Sequence, residues 1–320
     1  MSEKFRYAIM GASDIANKFC NAVSFIPEAE IVAVANRTFS KAKDFAERNK
    51  IPAVYDNFEK MIHETSPDCV YIAVTQNAHK QYIDLCIKNH INVLCEKAMY
   101  LNSKDALDGF ARGKSAGIFM MEAMWSRFLP PVVKAKEWVK SGKIGDMCLI
   151  DFAIGFNAPS QPGNRFFEKA NGGSTAWDLS VYGYMMSDFF TETKPVSIKC
   201  DAIYNEEGVD TTNNIALNYG KITASVKTSF TTRIKEEMTV YGNKGRIVIP
   251  SPHFATKAIL YDNDFNIVEE FTDTITPNGF YYEAKEAMEC VKAGKLESSV
   301  VPHSLSIASC EMYDLIIRNS

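Results

Sequence analysis

The stretch "FRYAIMGASDIANKF", residues 5–19, runs from a nearly unbroken apolar segment through one glycine into an amphipathic segment. An apolar run of that length marks a strand covered on both faces, and the spacing after it predicts a helix. The junction can be laid against the dinucleotide-binding fingerprint. Gly11 falls on its first glycine position, Ser13 on the second and Ala16 on the third. These positions need, in turn, a tight turn, little side chain between backbone and pyrophosphate, and close helix packing. Gly11 and Ala16 meet their requirements, and Ser13 is a weaker match. The amides opening the helix attract phosphate, which makes Gly11, Ser13, Asp14 and Ile15 candidate pyrophosphate contacts.

Further strand-like runs lie at 30–36, 69–75, 91–96 and 117–123, separated by helix-like segments near 14–26, 39–49, 78–89 and 103–115. Asn102 or Ser103 supplies a cap for the last of these. Strands alternating with helices predict a doubly wound parallel sheet, an α/β Rossmann domain spanning residues 1–123. After Pro130 and Pro131 the texture changes. One helix, "VVKAKEWVKSG", is followed by "MCLIDFAIGF" and then by "VSIKCDAIY", "NNIALNY", "KITASVKTSF", "EEMTVYG", "GRIVIP" and "TKAILYD". Their spacing and turn signals predict an α+β domain with an open, mostly antiparallel sheet over residues 124–320. Helical patterns at 279–293 and 303–318 close the chain, the last one expected to pack back on the first domain.

A chain of 320 residues suits two domains, and 46% hydrophobic with 23% charged residues is ordinary for a globular protein. The net charge of −4 gives no general attraction to nucleic acid or to an anionic membrane. No apolar run reaches the roughly 20 residues of a membrane span, and the N-terminus lacks a signal-peptide pattern, so a cytoplasmic protein is expected. The eight cysteines are scattered without a CxxC, which predicts buried, reduced thiols and no metal framework.

The second strand ends in "VANRTFSKA", where NAD-selective sites usually carry an acid for the ribose hydroxyls. Here stand Asn36, Arg37 and Thr38. A guanidinium can pair with a 2′-phosphate and lie over adenine, so NADP is favoured and NAD stays open.

Six segments in order, "GASDIA", "VTQNAHKQY", "VLCEK", "EAMWSRFLP", "GGSTAWDLSVYG" and "VYGNKGRIVIP", resemble the glucose-fructose oxidoreductase, inositol dehydrogenase and rhizopine-catabolism (Gfo/Idh/MocA) family. The "EAMWSRF" segment is most similar to its branch of dihydrodiol and D-xylose dehydrogenases. The resemblance covers the whole chain. It implies NAD(P)-dependent oxidation or reduction of a small sugar-like or diol substrate, and a homodimer formed through the C-terminal sheet. It places the family's lysine on Lys97, its paired acid and tyrosine on Asp178 and Tyr182, and its cofactor loop on Thr75, Asn77 and His79. Two departures stand out: Ala98 replaces the proline after the lysine, and Ser180 replaces the glycine before the tyrosine.

The chemistry agrees with these positions. Hydride transfer from an alcohol needs a group to take the hydroxyl proton and a cation or donor to hold the alkoxide. Lys97 closes a parallel strand, where such sheets bind ligands, and Glu96 turns to the other side, toward cofactor ribose or backbone. Asp178 and Tyr182, four apart on a helix over 176–190, share one face. Lys97 and Tyr182 are alternative proton acceptors. Trp125, with Arg127 and Phe128, and the loop residues Arg165 and Phe166 are candidates to wall the cofactor and substrate pocket. A cis bond before alanine costs about 3 kcal/mol, so a trans Lys97–Ala98 bond is expected. Two other functions share the scaffold: a non-catalytic NAD(P)-binding sensor and an NAD-assisted glycosidase.

Overall fold

The computed structural model describes residues 3–159, 161 and 163–317. Its first stretch alternates β1 (Phe5–Met10), α1 (Asp14–Val23), β2 (Ala29–Ala35), α2 (Phe39–Asn49), β3 (Ala53–Tyr55), α3 (Phe58–Thr65), β4 (Cys69–Ile72), α4 (His79–Lys88), β5 (Asn92–Glu96), α5 (Ser103–Ser115) and β6 (Met120–Ala123). Then come α6 (Pro130–Lys140), β7 (Met147–Asn157) and α7 (Val181–Thr191). The strands β8 (Ser197–Tyr204), β9 (Asp210–Asn218), β10 (Thr223–Ser229), β11 (Thr231–Gly242), β12 (Gly245–Pro250), β13 (Lys257–Asp262) and β14 (Ile267–Thr272) follow. The chain closes with α8 (Phe280–Lys292) and α9 (His303–Ile317).

Two compact units result, one comprising residues through Met124 with Thr276–Ile307, the other Trp125–Ile275 with the remainder. The sequence reading assigns 124–320 to the second half and expects only the closing helix to pack back on the first. The contacts that tie this segment to the first unit are non-local: Tyr7 hydroxyl donates to the Ala284 carbonyl at 2.6 Å, and Asn278 donates to the Lys18 carbonyl at 2.8 Å.

In the first unit six parallel strands lie in the order β3-β2-β1-β4-β5-β6. β1 and β4 carry almost wholly buried residues, as a sheet covered on both faces requires. The chain reverses its winding between β1 and β4, and the carboxyl ends of these two strands open the crevice where such sheets bind ligands. Helices start where the side chains permit. Ser13, Asn57 and Asn102 each accept a hydrogen bond from the amide three residues on, capping α1, α3 and α5. The strand β3 and the helix α3 were not anticipated. "AVY" is three residues long at a sheet edge, and "FEKMIHET" is an eight-residue helix, both too short for periodicity to stand out.

The second unit holds an eight-stranded sheet, β14-β13-β12-β11-β7-β10-β9-β8, antiparallel except where β10 pairs with β7. Burial alternates along β12 and β8, so one face is covered and the other open. Gly183 lets α7 lie close on the covered face, where a Cβ would meet Val226 at 2.3 Å and Phe152 at 2.9 Å. The edge strand β14, "IVEEFT", went unrecognised because two glutamates interrupt its apolar pattern.

Six of the eight cysteines are buried, and burial pushes the Cys20 thiol up to about 12. Among the described residues no helix is long and apolar enough to cross a membrane.

Candidate active site

In the first unit the turn after β1 is stitched to its neighbours. Gly11 donates to the Ala35 carbonyl at 2.9 Å, and Ser13 hydroxyl donates to the Ala73 carbonyl at 3.0 Å. Gly11 has φ +108°, and a Cβ there would lie 2.6 Å from the Ala73 oxygen. Only glycine fits, and the backbone therefore stays bare where α1 begins. The Asn36 side chain faces the Ala12 amide at 3.5 Å and donates to the Thr38 carbonyl at 3.1 Å, tying this turn to the end of β2. Asp14, Arg37 and Thr38 are exposed, and Ile15 is half-buried. Arg37 borders a groove with Asp56, Glu59, Tyr82 and Lys88. A bare glycine turn leading into a helix N-terminus is what a dinucleotide's pyrophosphate needs, so the residues present fit a nicotinamide dinucleotide.

After β4 a short turn over Gln76–Ala78 leads into α4. Thr75 and Asn77 are exposed, whereas Gln76 and His79 point inward. This separates three residues that the sequence grouped as cofactor contacts. His79 is 1% exposed, and its ring nitrogens face the carbonyls of Ala98 at 2.8 Å and Val74 at 3.1 Å. Both ring nitrogens thus face backbone carbonyls, a surrounding that the sequence reading of His79 as a cofactor-loop residue or a helix start does not contain.

Lys97 follows β5 at its carboxyl end and is half-buried. The Lys97–Ala98 peptide bond is cis, against the trans expectation. Distant side chains hold it and the peptide that follows: Gln76 donates to the Lys97 carbonyl at 3.2 Å, while on the Ala98–Met99 peptide His79 faces the Ala98 carbonyl at 2.8 Å and the Met99 amide donates to Glu122 at 2.9 Å. No reading of "CEKAMY" alone contains these partners. Gln76 and Glu122 were also absent from the candidate residues, because a buried polar residue next to a strand end has no local signature.

Glu96 turns inward, as alternation requires, and accepts a hydrogen bond from the buried Tyr71 hydroxyl. Close by, Glu283 of α8 is fully buried, and neither of its carboxyl oxygens has a hydrogen-bond partner among the described residues. Burial, and then the charge of Glu96, push its pKa well above the carboxylic range. A raised carboxyl makes the folded state hold a proton that the unfolded state has lost above about pH 4.3. Stability from this group is therefore full below that pH and falls as pH rises toward the raised folded value. Glu283→Gln is expected to raise the urea midpoint at pH 8, with the gain shrinking toward pH 4. A gain that does not change with pH would show that Glu283 is ionised in the native protein.

In the second unit the segment 176–191 begins as a wide π-type turn, Ala176–Ser180, before α7. Asp210, fully buried, accepts from the Ala176 amide at 2.7 Å and from Asn213 at 2.6 Å, which fixes the start of this segment. Asp178 and Arg165 come together at 3.0 Å, and the Arg165 guanidinium lies 4.2 Å from the Phe166 ring centre. Trp125 donates its indole N–H to the Tyr182 hydroxyl at 3.2 Å. The sequence names these four residues as site candidates and pairs Asp178 with Tyr182, whereas the contacts found are Asp178 with Arg165 and Tyr182 with Trp125. His253, in the turn after β12, adds a ring 5.5 Å from that of Tyr182. Arg127 is instead structural: it is buried and donates to the Met185 carbonyl at 2.7 Å and to Asp188 at 3.2 Å. Ser180, the second departure, is accommodated because its hydroxyl bonds Thr228 at 2.7 Å inside the core.

A parallel sheet in the order 3-2-1-4-5-6 with a bare glycine turn, followed by a mostly antiparallel eight-stranded sheet, defines a Rossmann-type dinucleotide-binding protein with a second, β-rich unit. Residues 5–122 match the model described as an oxidoreductase family with an NAD-binding Rossmann fold, and residues 132–248 match the GFO/IDH/MocA C-terminal domain. The chain is 32% identical over 314 residues to trans-1,2-dihydrobenzene-1,2-diol dehydrogenase of Mus musculus, covering 93% of this chain and 91% of that protein. Among solved structures, aldose-aldose oxidoreductase of Caulobacter crescentus superposes with a TM-score of 0.89 at 21% identity, covering 99% and 97% of the two chains. Levoglucosan dehydrogenase superposes with a TM-score of 0.87 at 15% identity, covering 99% and 97%. The chain belongs to the Gfo/Idh/MocA oxidoreductase family. It is a dehydrogenase or reductase acting on CH–OH groups.

Proposed function

We propose that the protein transfers a hydride between NADP and a secondary alcohol or carbonyl of a sugar, polyol or cyclic diol. The observation that carries this reading is the position of Lys97 at the carboxyl end of β5, in a sheet whose switch point already fits the dinucleotide. The Mus musculus relative named for a dihydrodiol and the aldose-named neighbour support the substrate class. When bound, nicotinamide supplies the hydride acceptor or donor. Lys97 takes the proton of the alcohol or holds the alkoxide left when another group takes it. Tyr182, whose oxygen is held by Trp125, offers a phenol O–H, and Asp178, balanced by Arg165, accepts from a substrate hydroxyl. Two identical chains pair through the open face of the eight-stranded sheet, where Leu149, Tyr241, Arg246 and Tyr261 stand in one cross-strand row.

The deciding experiment is a screen of aldoses, polyols and dihydrodiols read at nicotinamide absorbance. Turnover of one class supports the reading, and inactivity across all of them refutes it.

Cofactor choice rests on Arg37. Related folds have been solved with NADP in one case and NADH in another, so the fold leaves the choice to side chains. Arg37 is exposed after β2, and Asn36 beside it carries no charge to repel a 2′-phosphate. Fluorescence titration is expected to give tighter NADPH than NADH binding by about 10-fold or more, and Arg37→Ala to remove the difference. Equal affinities in the unsubstituted protein would overturn the NADP assignment.

A further inference from the structure

We propose that His79 is a positioning residue for Lys97: its Nδ1–H, donated to the Ala98 carbonyl, holds the Ala98–Met99 peptide next to the Lys97 carbonyl that Gln76 holds, and so fixes the course of the backbone just past the lysine. This deepens the reading of Lys97 given above and rests on it.

The imidazole is enclosed, and both of its nitrogens face carbonyl oxygens. Carbonyls only accept, so full satisfaction would need an imidazolium. Burial opposes that charge and pushes the His79 pKa down to about 4, with the nearby Lys97 adding to the effect. At neutral pH the ring is uncharged and has one N–H for two acceptors. Of the two contacts the one to Ala98 is shorter, 2.8 Å against 3.1 Å to Val74, and on that ground we place the proton on Nδ1.

The consequence reaches beyond one bond. Gln76 and His79 stand three apart on the turn that follows β4, and both reach the lysine junction, one at the Lys97 carbonyl and one at the Ala98 carbonyl. Between and beside them, Thr75 and Asn77 face outward. A single short segment thus presents two exposed polar residues on one side and grips the lysine backbone on the other. Glu122 of β6 holds the third residue, Met99, from the opposite neighbour strand. A ligand that settles Thr75 and Asn77 would settle Lys97 with them.

Two variants separate the two ring nitrogens. The amide N–H of asparagine can reach where Nδ1 lies, and that of glutamine where Nε2 lies. His79→Asn is expected to keep kcat within about 3-fold, whereas His79→Gln loses about 10- to 100-fold with KM for cofactor nearly unchanged. A role in folding alone would lower both kcat values in step with the loss of stability, and that result, or equal kcat values, overturns the proposal. Tautomer and lysine environment are read independently of turnover. Long-range proton–nitrogen correlation spectra of histidine-labelled protein are expected to show the Nδ1–H form at pH 7, and the Nε2–H form would refute the assignment. After reductive methylation with carbon-13, the Lys97 resonance, identified by its loss in Lys97→Arg, should move in His79→Gln and stay in His79→Asn. If the unsubstituted protein turns over no alcohol, the reaction reading fails, and these two spectra still decide the brace.

Discussion

Lys97→Ala is expected to abolish turnover, lowering kcat by about 1,000-fold or more, while dinucleotide affinity stays within a few-fold. The substitution is unusually clean. The three side chains that hold this junction grip backbone atoms, the carbonyls of Lys97 and Ala98 and the amide of Met99. Truncating the lysine beyond Cβ leaves all three bonds in place, so the peptide keeps its course while the side chain and its ammonium are lost. Thermal melting should change little, and fluorescence titration should still show cofactor binding. Steady-state assay at nicotinamide absorbance is the measurement, and retained activity would refute the role of Lys97.

Gly11→Ala should have the opposite profile, a loss of both folding stability and binding. The added Cβ would meet the Ala73 oxygen at 2.6 Å and its carbon at 2.9 Å, in a backbone conformation, φ +108°, that side chains rarely adopt. That carbonyl also accepts from the Ser13 hydroxyl, so the clash moves the phosphate turn and the end of β4 together. Backbone strain and overpacking together should cost about 3 kcal/mol. Misplaced amides at the start of α1 should weaken dinucleotide binding by about 100-fold. Urea unfolding and cofactor titration check the two effects. An unchanged midpoint would show that the Ala73 segment yields freely.

The differing outcomes at these two positions reflect what each residue contributes. Gly11 is required for its missing side chain, and the fingerprint around it signals that in the sequence, although the atom it must clear, the Ala73 oxygen, comes from the end of another strand. Lys97 is required for its charge, and its aim is set by residues 18 to 25 positions away, which the sequence lists without connecting. The same distinction explains His79. A histidine in a loop after a strand reads equally as a ligand contact or a helix start, and its enclosure by two backbone carbonyls is contained in neither reading. It also explains Arg165 and Asp178, recognised one by one, whose pairing depends on a loop folding back over the π-type turn.

From the sequence alone, local periodicity determined the parallel first sheet, the β-rich second sheet and most helix limits, including α2 at 39–49 and α5 at 103–115. These follow from spacing that each segment carries within itself, and the same holds for the glycine turn after β1. Tertiary structure alone decided that 276–307 joins the first unit, that Lys97–Ala98 is cis, and which polar residues face inward at the strand ends. The physical reason is that these outcomes depend on hydrogen-bond partners from other elements. Ala98 reads as a departure from a pattern along the chain, and becomes a held peptide once His79, Gln76 and Glu122 converge on it.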